Sequence, residues 1–148
     1  MAVAEDLDRA TDSSWDWVAE QTRTYLASGG AQGHESNGLY VLILVTTGRT
    51  SGEPRRTCLI YGTRGSDFVV VASKGGDPDD PDWLKNLRVE PTDGVQVGAR
   101  RFTARARVAS AVERGPLWEQ MVGIFPLYAE YAQKTAREIP VVLLTPHA

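Results

Sequence analysis

The run Leu39-Tyr40-Val41-Leu42-Ile43-Leu44-Val45-Thr46 constrains this chain more than any other feature. It is almost continuously apolar and rich in β-branched residues, the pattern of a strand buried on both faces. Both sides of such a strand need cover, and the neighbouring segments supply it. Thr47–Pro54 is a turn punctuated by Gly48, Gly52 and Pro54. Strands are expected at Arg56–Tyr61 and Phe68–Ala72, joined as a hairpin by the loop Gly62–Asp67. Val95–Val97 and Phe102–Ala109 form a second hairpin about Gly98, and Ile139–Leu144 is a closing apolar strand. Strands that follow one another without crossover helices imply a mainly antiparallel sheet. Six such strands suit a small closed or partly open barrel of the α+β class.

Residues 12–28 read as an amphipathic helix, with Trp15, Val18, Ala19, Thr22, Tyr25 and Leu26 on one face. Ser13 and Asp16 resemble a capping box, and Gly29-Gly30 supplies the stop. Residues 1–11 are then a tail, 29–38 a Gly-rich link, and 12–148 one domain, as a length of 148 residues requires. Pro81–Leu87 is a short helix with proline in its first turn, and 111–134 is helical in two pieces broken at Pro126.

Apolar residues at 42% and charged residues at 24% exclude a disordered chain. No apolar run approaches the roughly 20 residues of a membrane span, and an N-terminus carrying Glu5, Asp6 and Asp8 is no signal peptide. One cysteine, Cys58, and two histidines, His34 and His147, provide neither a disulfide framework nor a metal centre. The expected setting is a reducing cytoplasm. The helix with Trp15, Trp17 and Tyr25 either touches a membrane peripherally or caps the barrel. Its acidic surroundings, which anionic lipid would repel, favour capping. Oligomeric state stays open.

A net charge of −3 argues against a general nucleic-acid binder. Residues 1–40 hold seven acids and two arginines, whereas 41–148 hold fourteen bases against twelve acids. Thirteen of the sixteen bases are arginine, a bias that suits bidentate anion recognition but that genome composition also produces.

Four segments carry candidate chemistry. Thr46–Thr57, with Arg49, Thr50, Ser51, Arg55 and Arg56, reads either as an anion cradle at the barrel rim or as a polar hairpin turn with solvated arginines. It is no P-loop, because the Gly-Lys-Ser/Thr ending is missing and a strand follows. Val71-Ala72-Ser73-Lys74-Gly75-Gly76 ends a buried strand in a hydroxyl, a cation and two glycines. It can meet a phosphate and a flat ring, or simply turn the chain. In Pro81–Leu87, Trp83 and Leu87 share one helix side with Asn86 near it, the pattern of a cover helix or of a pocket wall. Phe125, Tyr128 and Tyr131 recur every third residue, as core packing or as the wall of a planar-ligand pocket. Cys58 reads as a small core residue, and Arg100–Arg107 as a solvated strand face. Without a Ser/His/Asp set, paired carboxylates or a metal cluster, the chemistry rests on a bound organic cofactor or does not occur.

Taken together, Thr-Thr-Gly-Arg-Thr-Ser-Gly-Glu-Pro-Arg (46–55), Val-Ala-Ser-Lys-Gly-Gly (71–76), Trp-Leu-x-Asn-Leu (83–87), Phe-Pro-x-Tyr-x-x-Tyr (125–131) and Arg-x-Ile-Pro-Val-Val (137–142) resemble the deazaflavin-dependent nitroreductase family. Its actinobacterial members use coenzyme F420. The blocks match in order from about residue 25 to the end. The resemblance implies an FMN-binding split-barrel-like fold and hydride transfer from reduced deazaflavin to nitroaromatics, quinones or enones. It implies no metal. It places Arg49, Thr50, Ser51, Arg55, Arg56 and Thr57 on the cofactor's phosphate and acidic tail. Ala72, Ser73, Lys74, Gly75 and Gly76 fall near the phosphate and ring, with Trp83, Asn86 and Leu87 as a wall. Tyr61, Phe125, Tyr128 and Tyr131 fall on the substrate side, and Ser73, Tyr128 and Tyr131 are the catalytic candidates. Two positions depart from the pattern: Phe125 replaces a tyrosine and Cys58 a common proline. A flavin mononucleotide reductase of the same barrel class and a non-catalytic F420 carrier or sensor are the alternatives.

Overall fold

A computed structural model describes residues 2–36 and 38–147. Met1, Asn37 and Ala148, which fall in the expected tail, link and closing end, lie outside the described residues. Residues 35–36 form a two-residue strand, β1, paired with the start of β2 (Leu39–Thr47). β2 also pairs with β3 (Pro54–Ile60) and with β6 (Thr92–Val97). The sheet continues through β7 (Arg100–Val108), β8 (Val141–Pro146), β5 (Asp67–Val71) and β4 (Gly62–Arg64), each pair antiparallel. Among the described residues β3 pairs with no strand but β2, so the curled sheet stays open between β3 and β5. This seam makes the barrel a split one.

Among the described residues the sheet has eight strands rather than six, and the hairpin expected between 56–61 and 68–72 does not form. β3 folds back on β2 through the turn at 48–53, where Gly48 N–H donates to Glu53 O (2.8 Å). The hairpin partner of β5 is the short β4. The chain passes from pairing with β2 at Ile60 to pairing with β5 at Gly62, where a Cβ would press on Met121 Sδ at 2.9 Å.

β2 is buried on both faces, as its composition requires. Leu42 and Leu44 enter the barrel interior with Phe68, Val70, Leu84, Leu87 and Val142. Ile43 and Val45 face outward beneath Ala2, Leu7, Ala10 and Tyr25. The expected tail is therefore an arm that covers the sheet. Ala2 N–H donates to Thr47 Oγ1 (2.7 Å), and Thr11 exchanges two backbone hydrogen bonds with β3 at Pro54 and Arg56. Each large apolar side chain buried in this way contributes about 1.5–3 kcal/mol.

The first helix, α1, runs Asp16–Ala27 and starts later than residue 12. The Ser13 hydroxyl accepts from Trp15 N–H (3.2 Å), so it does not cap the helix. Val18, Ala19, Thr22 and Tyr25 are buried as their spacing implies, while Trp15 remains 46% exposed. α2 (Asp82–Val89) covers the barrel mouth, and α3 (Ala111–Ile124) and α4 (Leu127–Gln133) break at Pro126. α3 and α4 pack on β5 and β8 through Leu117, Met121 and Tyr128. No described helix is long and apolar enough to cross a membrane.

Candidate functional site

A cleft of about 640 Å³ runs along the open seam. One side is built by Asp12–Trp15, by Trp17, Val18 and Gln21 of α1, and by β3 from Arg55 to Ile60. The other carries Ser73, Lys74, Gly75, Trp83, Asn86, Phe125, Tyr128 and Tyr131. The two basic turns read from sequence thus meet in one cavity, and the aromatic triad closes it.

The three neighbouring arginines have different fates. Arg49 is tied down: its backbone N–H and Nη1 donate to Asn86 Oδ1 (3.1 and 2.9 Å), and Nη2 pairs with Asp82 (3.2 Å). Asn86, 2% exposed, completes the link by donating from Nδ2 to Thr46 Oγ1 (3.1 Å). Arg56 is committed to the arm, donating Nε to Asp12 (2.6 Å) and Nη1 to Leu7 O (2.8 Å). Burial penalises the Asp12 carboxylate, yet the hydrogen bonds from Arg56 and Arg23 outweigh that and hold its pKa below the ordinary range. Arg55 and Lys74 line the cleft and pair with no carboxylate among the described residues.

The turn after β5 presents Ser73, Lys74 and Gly75. Lys74 and Gly75 have φ of +46° and +62°, and a Cβ on Gly75 would meet nothing within 4 Å, so its backbone is open to a ligand. Gly76 serves otherwise: a Cβ there would lie 2.8 Å from Tyr131 O, so it lets the turn pack against α4. Phe125, Tyr128 and Tyr131 form one cluster, with ring centroids 5.0 Å apart for Phe125–Tyr128 and 6.4 Å for Tyr128–Tyr131. Burial of Tyr128 raises its pKa well above the usual phenol value, so it keeps its proton. A flat anionic molecule finds here free cations, an open backbone and aromatic walls.

Seven expected site residues do not line the cleft: Arg49 and Gly76, placed above, and five more. Tyr61 turns away from the cleft, stacks on His34 and meets its Nε2 at 2.9 Å. Leu87 and Ala72 are barrel core, and the Ala72 carbonyl is taken by Arg137. Thr50 and Ser51 are exposed on the turn, with Ser51 Oγ accepting from Glu53 N–H (3.1 Å). Thr57 does line the cleft, and so does Cys58, half-buried there rather than enclosed in the core. The wall from Asp12 to Gln21 has no counterpart among the sequence candidates. The period of α1 distinguishes a buried face from an exposed one, and it is the exposed Trp17, together with Trp15, that borders the cavity.

A barrel opened along one seam, with helices flanking a basic and aromatic cleft at that seam, is the split-barrel fold. Residues 17–146 match the family model of the F420H(2)-dependent quinone reductase, and the chain belongs to that family of F420-dependent reductases. The F420H(2)-dependent quinone reductase Rv1261c of Mycobacterium tuberculosis is 38% identical over 125 residues, which cover 82% of this chain and 84% of the relative. A solved F420-H2 dependent reductase, FDR-A, is 38% identical with a TM-score of 0.65, covering 70% of this chain and 92% of that one. A second solved structure, described as a domain-swapped dimer, is 37% identical with a TM-score of 0.68, covering 89% and 99%.

Proposed function

We propose that this protein reduces quinones with reduced F420 held in the seam cleft. The carrying observation is that Arg55 and Lys74, two cations without carboxylate partners among the described residues, share one cavity with Phe125, Tyr128 and Tyr131. In this reading Arg55, Lys74, Ser73 and the Gly75 backbone hold the cofactor's phosphate and acidic tail, where charge-assisted contacts are strongest. Arg49 acts with Asn86 to fix the turn that presents Arg55. Thr57 and Trp83 border the ring.

When bound, reduced F420 supplies a hydride. The protein's own part is to confine the acceptor and exclude water. Phe125, Tyr128 and Tyr131 wall the acceptor in, and a Tyr128 or Tyr131 hydroxyl donates a hydrogen bond to the oxygen on which charge develops. Nitroaromatics and enones are further electron-poor acceptors that the same slot would take.

Mixing the protein with reduced F420 and menadione, and following the return of F420 absorbance, tests the reading. Oxidation that needs both protein and quinone supports it. Binding of F420 without turnover supports a carrier, and tighter binding of flavin mononucleotide supports the flavin alternative. The domain-swapped relative makes a dimer the assembly to look for, by light scattering on the same sample.

A further inference from the structure

Arg137 lies between α4 and β8, outside the cleft, with its side chain 16% exposed. The guanidinium makes five hydrogen bonds, four of them to backbone carbonyls. Nε donates to Asp77 O (2.9 Å), and Nη2 to Ser73 O (2.9 Å) and Ala72 O (3.2 Å). Nη1 donates to Ala72 O (3.2 Å) and to Asp80 Oδ1 (3.1 Å). The carbonyls straddle one turn, two before it and one after. Between them Lys74, Gly75 and Gly76 run in succession through left-handed φ of +46°, +62° and +84°. For a lysine this conformation is unfavourable and needs outside support. On its far side the turn is wedged against α4, where Gly76 meets Tyr131 O and Lys134.

We propose that Arg137 is a positioning residue that clamps both ends of this turn and so holds Lys74 and Gly75 toward the cleft for the cofactor's phosphate. The proposal rests on the assignment of the cleft to F420. A planar fork with five donors spans three carbonyls and a carboxylate at once, whereas a lysine ammonium is a single point with three donors. Arg137→Lys keeps the charge and loses the clamp.

The test is a double-mutant cycle read by F420 fluorescence titration, on the parent, Arg137→Lys, Lys74→Ala and the pair. Melting temperature and amide exchange at residues 74–77 are measured on each. Arg137→Lys should weaken F420 binding on the order of tenfold in folded protein and speed exchange in the turn. In the Lys74→Ala background the same change should cost less than about threefold, because Arg137 acts through Lys74. Fully additive losses, or unchanged affinity, would overturn the proposal. Should the parent not bind F420, the cleft assignment fails, and exchange no faster in Arg137→Lys would separately overturn the clamp. Should Arg137→Lys not fold, Asp80→Asn, which removes one anchor of the guanidinium, is read in the same way.

Discussion

Arg56 and Asp12 form a 2.6 Å ion pair that ties β3 to the N-terminal arm. With this pair made, the three arginines of the basic turn have separate roles. Arg56 secures the arm, Arg49 secures α2, and Arg55 lines the cleft with no carboxylate partner among the described residues. Each commitment has a measurable signature.

Arg55→Ala and Lys74→Ala should each raise the F420 dissociation constant tenfold or more, since a well-formed charge-assisted contact contributes roughly 1.5–3 kcal/mol. Added salt should weaken binding in the parent more than in either variant. Arg56→Ala should act first on stability, by about 1–3 kcal/mol, because Leu7 O loses its guanidinium donor and the Asp12 carboxylate keeps only that of Arg23. Fluorescence titration and urea unfolding separate the two effects. An Arg56→Ala protein of normal stability and poor affinity would reverse the division.

Asn86 joins α2 to the basic turn and to β2 through three hydrogen bonds. Asn86→Ala should cost roughly 2–4 kcal/mol, since it leaves buried Thr46 and the Arg49 backbone N–H without partners. Asn86→Asp keeps the acceptor for Arg49 and should recover part of that loss. Urea unfolding of the two variants checks the order; equal stability would show that Arg49 gains nothing from position 86.

Tyr128 and Tyr131 separate catalysis from cofactor binding. Removing one hydroxyl, by Tyr128→Phe or Tyr131→Phe, should leave F420 affinity within about twofold. Quinone turnover should fall by up to roughly 100-fold where that hydroxyl donates to charge formed in the transition state. Because burial raises the Tyr128 pKa, its loss should not alter the pH profile in the neutral range. Single-turnover kinetics on folded protein decides; normal turnover in both variants would make the tyrosines packing residues.

What is legible in the sequence follows from which signals are local. β2 announces its burial by composition, Pro126 breaks α3 from α4, and the basic turns and aromatic triad reach one cleft. Pairing is not local. Arg56–Tyr61 and Phe68–Ala72 look like hairpin partners because they are adjacent, yet the turn at 48–53 gives β3 to β2, and β5 pairs with β4 and β8. The arm carries Ala2, Leu7 and Ala10 at no regular period, so its burial depends on a groove that exists only once the sheet has curled. Tyr61 misleads for a related reason: it lies just past the strand whose residues line the seam, and His34, distant in sequence, holds its hydroxyl.

Asp93, on β6, is fully buried, and neither carboxylate oxygen has a hydrogen-bond partner among the described residues. Burial alone pushes its pKa from 3.8 up to about 8. In the folded protein it therefore stays protonated over a range in which the unfolded chain has released the proton. The folded state then binds more protons than the unfolded one, so stability falls as pH rises between about 4 and 8 and levels off above. Asp12, whose pKa is lowered, works in the opposite sense and loses its contribution only as pH falls below the ordinary carboxylate range. The parent should thus melt several degrees higher near pH 5 than near pH 8. Asp93→Asn, which cannot ionise, should remove most of that difference and stabilise the protein at pH 8 by an amount on the order of a few kcal/mol. Melting both proteins across pH 4–9 tests this. A parent whose stability rises from pH 5 to pH 8, with Asp93→Asn following in parallel, would show that the buried carboxyl finds a partner that lets it ionise.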